Sequence, residues 1–133
     1  MTKSEVIKEI ESINSYLSDC LWMDFEVCLM NASQIVVGGR IDISCDEWWL
    51  DIIFDQPNFI ECLFNWNLDT DKPYRPFIEF LEPQENIAFI DKYHVEQGCY
   101  LFKINAENFS DGPIRIAAKE IHCKIYKPPF KRS

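Results

Sequence analysis

A chain of 133 residues, 47% hydrophobic and 26% charged, can bury one sizeable core and is not a disordered tract. No apolar run reaches the roughly 18 residues of a membrane-spanning helix. The formal charge of −9 argues against nucleic acid as a partner, because an acidic field repels phosphate backbones and attracts basic proteins.

The charge is unevenly spread. Residues 1–41 hold six acids and three bases, residues 42–96 thirteen and three, and residues 97–133 three and seven. The acid excess therefore sits in the middle of the chain. The start, Met1 to Glu5, leads into a charged amphipathic pattern rather than a signal peptide, so a cytoplasmic location is expected.

In chain order, Val6, Ile10, Ile13 and Leu17 recur at three- and four-residue spacing and predict a helix over 3–18. Thr2 is its expected N-cap, with Glu5 three residues on. A first strand is predicted over 21–30, with Met23, Phe25, Val27 and Leu29 on one face. Asn31-Ala32-Ser33 follows as a turn. A second strand runs over 34–43, with Ile35, Val37, Ile41 and Ile43 in phase; Gly38-Gly39 marks a bulge or a close backbone approach. A third strand, 47–54, carries Trp48, Leu50, Ile52 and Phe54 on its core face and Trp49, Asp51, Ile53 and Asp55 on the other. Asp55-Gln56-Pro57-Asn58 reads as a turn ending it. A fourth strand is predicted over 59–66, followed by a polar loop from Asn67 to Pro76. Short strands are then expected at 77–81, 87–90 and 99–104, with a connector over 105–112. Residues 114–126 fit both helix and strand. Four isoleucines favour strand, with a bulge near Ala117-Ala118 reconciling two phases. Pro128-Pro129 ends ordered structure and leaves 128–133 as a loose tail. The expectation is one α+β domain over 1–133: a mainly antiparallel sheet, formed by 21–126, with the N-terminal amphipathic helix packed on it.

Little in the sequence points to catalysis. The two histidines, His94 and His122, read as a loop-surface and a strand-face residue. Pairing them with Cys99 or Cys123 as nucleophiles has no recognised setting. The six cysteines lack CxxC or CxxH spacing, so structural zinc is not expected, and they are expected to be reduced. Asn67-x-Asp69-x-Asp71 has calcium-loop spacing without its glycine or closing glutamate. No enzyme activity, metal or cofactor is therefore expected. Asp42, Asp46, Glu47, Trp49, Asp51 and Asp55, with Glu61, Asp69 and Asp71 as additions, form the candidate partner-binding set. An aromatic among carboxylates suits a basic protein partner.

The acidic Trp48-Trp49 stretch and the run from Phe102-x-Ile104 to Ile114-Arg115-Ile116-Ala117-Ala118-Lys119 resemble those of small bacterial immunity proteins of contact-dependent or polymorphic toxin systems. The resemblance is one of type: size, acidity, a single domain, and aromatics amid carboxylates. It carries no motif, so no site residue is transferred from it. It implies an inhibitor that covers the active or substrate-binding surface of a basic toxin such as a nuclease. A structural or adaptor protein is the alternative, followed by a small-ligand binder or enzyme.

Overall fold

In the computed structural model, which describes residues 1–42, 44, 46–71, 75–109 and 114–131, the chain is one α+β domain. Ile43, Cys45, Lys72, Tyr74 and the Gly112-Pro113 pair lie outside the described residues, as does Arg132 in the tail. Helix α1 spans Lys3–Ser18, with the Thr2 side chain accepting from the Glu5 amide as an N-cap should. Its buried stripe is Val6, Ile10, Ile13, Tyr16 and Leu17. The strands are β1 Asp24–Met30, β2 Gln34–Arg40, β3 Leu50–Glu61, β4 Asn65–Asn67, β5 Ile78–Leu81, β6 Tyr100–Ile104 and β7 Ile114–Ile125. A short helix, α2, covers Ile87–Tyr93.

The strands form one antiparallel sheet in the order β4-β1-β2-β3-β7-β6-β5. It curls. Leu68, just past β4, bridges to Ala106, just past β6, so the first edge swings towards the far side. Helix α1 fills the inner face against β5 and β7. There Phe25, Phe54, Phe102, Ile52, Ile116 and Ile121 are almost wholly buried. The β5 edge is capped from α1. Asn14 Oδ1 accepts the Ile78 N–H at 3.0 Å, and Asn14 Nδ2 donates to the Ile78 carbonyl at 2.9 Å. A side-chain amide thus stands in for the missing neighbour strand.

Three expectations about the strands need correction. Asp55 to Asn58 is not a terminal turn; β3 runs through it to Glu61, joining the expected third and fourth strands. Gln56 takes a left-handed φ of 51°, its N–H bonds Ser33 O, and the β2 neighbour stops at Asp55. Pro57 therefore pairs only with β7, as suits a proline at the margin of a sheet. The β3–β7 register slips between Pro57 and Phe59. Second, Ile87–Ile90 belongs to α2 rather than a strand, because Phe89 and Tyr93 fall one turn apart and meet Phe59 together. Third, Trp48 and Trp49 exchange their expected places, as described below.

The ambiguous segment 114–126 is a strand over Ile114–Ile125, as expected. Its two phases meet between Ala118 and Ile121: both are buried, whereas Lys119 and Glu120 are not. Opposite this step lies the Gln56 kink, so β3 and β7 change phase together.

Candidate functional site

Alternation along the strands decides what each sheet face carries. Because Phe25, Ile35, Val37, Ile52, Phe54 and Ile121 point inward, their neighbours point outward. Rows then form across the register. Gln34 lies beside Asp55, and Asp55 beside Glu120; Val36, Ile53 and His122 make the next row; Gly38, Asp51 and Lys124 the next. Glu26 lies opposite Gly38, and Asp24 opposite Arg40. α1 occupies the inner face and α2 packs near Phe59, so no described helix covers this outer half.

Trp48 lies on this outer face. A methyl group at Gly38 would sit 2.6 Å from the Trp48 ring and 2.5 Å from Cys28 Sγ, so only glycine leaves room for the indole. The Gly38-Gly39 pair is thus the close-approach site that the sequence suggested. Gly39 serves the inner face, where a methyl group would lie 3.0 Å from both Met23 and Phe25. The Arg40 guanidinium stacks over Trp48 at 4.5 Å and also binds Glu26 Oε1 at 3.0 Å.

Trp49, expected on the outer face, instead packs against the inner core. Phe130 meets its ring edge-on at 5.8 Å, and Lys127 lies over it at 5.4 Å. Its indole N–H is buried with no hydrogen-bond partner among the described residues. The two-residue period fails here because the strand begins at Leu50; residues 46–49 precede it. The tail is also held, contrary to the loose end expected. Leu21 N donates to Phe130 O at 2.6 Å, and Tyr16 Oη to Lys127 O at 2.8 Å.

The other predicted acids divide into groups. Asp51 and Asp55 share the open face. Tyr126 donates to Asp51 Oδ2 at 2.5 Å, which with partial burial pushes the Tyr126 phenol up to about 12. Gln34 Nε2 holds Asp55 Oδ1 at 3.1 Å. Asp42, Asp46 and Glu47 lie in the β2–β3 connection. Asp42 accepts from the amide and hydroxyl of Ser44, both at 2.9 Å, and these bonds lower its carboxyl below the usual range. Glu47 pairs with Lys127. Glu61 lies beyond the kink and pairs with Arg115 at 3.6 Å. Asp69 and Asp71 stand past β4, where Asp69 Oδ1 accepts the Asp71 N–H at 3.1 Å, and they do not join the face.

Residues missing from the sequence-derived set are Trp48, Glu26, Arg40, Glu120, His122, Lys124 and Tyr126. Only the alternation over 119–126 hinted at the last four, and it could not name the strand beside them. His122 and Cys123 are consecutive in a strand and point to opposite faces, so they form no dyad. The five described cysteines, 20, 28, 62, 99 and 123, are free thiols. Burial raises each of them, Cys123 to about 12.

Comparison with known proteins gives no matching family model, no matching curated protein and no matching solved structure. No described helix is long and apolar enough to cross a membrane.

Proposed function

We propose that this protein is an inhibitor of the immunity type: it binds a basic protein partner through the open outer face of β1, β2, β3 and β7. The observation that carries this reading is the uncovered half-sheet itself, acid-rich and bearing Trp48 and Tyr126 at its margin. Its bases support the acids more than they oppose them. Arg40 is held by Glu26 and Trp48, and Lys124 lies over Tyr126 at 5.0 Å. Asp51 and Asp55, with Asp42, Asp46 and Glu47 in the adjoining β2–β3 connection, would speed encounter and fix orientation. Trp48 would supply the desolvated contact where binding energy concentrates. Against a nuclease, these carboxylates would take the ground that substrate phosphates occupy. Inhibition is then blockade, with no reaction on this chain.

The test is calorimetric and kinetic titration against a basic protein encoded beside this one. Trp48→Ala is expected to weaken binding by about 2 kcal/mol. Asp51→Lys and Asp55→Lys are expected to slow association, most strongly at low salt. Glu11→Lys, on the exposed side of α1, serves as the control. Unchanged affinity in all three face variants would rule the surface out.

A further inference from the structure

We propose that Asp55, Glu120 and His122 form a site for a divalent transition-metal ion of the zinc and cobalt class. This goes beyond the partner-binding reading and does not depend on it. The three side chains come from the two central strands. Asp55 and Glu120 are directly opposite across β3 and β7, and His122 is two residues along on the same face. One donor atom from each lies within 4.8 Å of the others.

The spacing of this cluster suits a shared cation better than direct hydrogen bonds. His122 Nε2 is 3.4 Å from Asp55 Oδ2 and 3.5 Å from Glu120 Oε1. These distances exceed the roughly 2.7–3.2 Å of a formed N–H to O hydrogen bond. They match the edge of a tetrahedral site: two donors each about 2.1 Å from one zinc ion stand about 3.4 Å apart. The donor set, one imidazole and two carboxylates, is borderline in softness and suits zinc-class ions over calcium or magnesium. Two carboxylates facing each other across a ladder also repel unless a cation joins them.

The support around the ligands is of the kind metal sites have. Gln34 Nε2 holds Asp55 Oδ1 at 3.1 Å and leaves Oδ2 turned to His122. Each of the three backbones is paired within the sheet, β3 on both sides at Asp55. The His122 side chain is 46% exposed, so a fourth position stays open to water or to a donor from another molecule. No CxxC spacing announces such a site, because its ligands come from residues 55, 120 and 122 and meet only through the β3–β7 register.

Zinc titration of the full chain by calorimetry tests this, with cobalt absorption to identify the donors, since free thiols could compete. One saturable equivalent of zinc is expected, together with visible cobalt bands that lack a thiolate charge-transfer band. His122→Ala, Asp55→Asn and Glu120→Gln should each weaken zinc binding by roughly tenfold or more, and Gln34→Ala by less. Circular dichroism checks that each variant is folded; the near-isosteric Glu120→Gln keeps the test decisive if His122→Ala is not. Unsaturable binding, a cobalt spectrum dominated by thiolate bands, or wild-type affinity in the His122 and Glu120 variants would overturn the proposal.

Discussion

The β3–β7 ribbon has two halves that the protein uses differently. Beyond the Gln56 kink, Pro57–Glu61 pairs with Arg115–Ala118, and the outer side is covered. Phe59 meets Phe89 and Tyr93 of α2 at 5.3 and 4.9 Å, Arg115 lies over Phe89 at 5.3 Å, and Ala117 and Leu101 are buried. Before the kink, Leu50–Asp55 pairs with Glu120–Ile125, and the outer side carries Asp51, Asp55, Glu120, His122 and Lys124. The same two strands therefore run from a sheet buried on both faces to one buried on a single face. A strand's second face is covered only where the chain returns an apolar segment to it, and α2 reaches one half alone.

The largest effect should come from the inner core that both halves share. Phe54 is fully buried and meets Phe102 at 5.4 Å. Phe54→Ala should cost about 3–5 kcal/mol in urea unfolding. Phe89→Ala, in the thin cover of the α2 half, should cost about 1–2 kcal/mol. Equal losses would erase the difference in depth between the two layers.

Gly38→Ala attacks the open half at its tightest point. It should cost about 1–3 kcal/mol by overpacking Trp48 and Cys28. The cost should shrink in a Trp48→Ala background, because the two sites are in contact. A cost unchanged by removing the indole would show that Trp48 does not rest on Gly38.

The two tryptophans sharpen the contrast further. Trp49→Ala should lower stability by about 2 kcal/mol, and Trp48→Ala by about 1 kcal/mol, since Trp49 alone packs on the inner core. The reverse order would restore the strict alternation that the sequence suggested.

The smallest effect is an alkaline one. Tyr126, tied to Asp51, and Tyr16, which burial raises, are both pushed up to about 12. A phenol whose folded pKa is raised stabilises fully below its unfolded value of about 10 and loses that contribution as pH climbs towards 12. Absorbance titration should show late ionisation of Tyr16 and Tyr126, and Tyr126→Phe should remove one of these two late steps. Early ionisation of Tyr126 would break its link to the open face.

Local pattern was legible where local forces decide. Val6, Ile10, Ile13 and Leu17 identified α1 to its ends, because an amphipathic stripe and an N-cap are properties of neighbouring residues. Ile35, Val37, Ile52 and Phe54 likewise marked the inner face of β2 and β3. Gln56-Pro57 misled, because a turn signature only permits a turn; pairing with β7 carried the strand through it. Ile87–Ile90 misled because a short apolar run has no period of its own, and Phe59 decided it. The candidate face was half legible: Asp51 and Asp55 do share it, but Trp48 and Trp49 were exchanged and Glu61, Asp69 and Asp71 lie elsewhere.

The sequence by itself determined the α+β class, the extent of α1 and the concentration of acid over 42–96, and it favoured strand over helix for 114–126. These follow from periodicity, propensity and charge, which act over a few residues or sum over many. Only the tertiary structure decided which face those acids share, that Lys124 and Tyr126 join Asp51, and that Glu120 and His122 meet Asp55. Those meetings depend on the register of strands some 70 residues apart in the chain, set by the packing of Phe54, Ile116 and Ile121 beneath them. A one-residue slip would turn every side chain to the other face, and burial of that inner row is what forbids it.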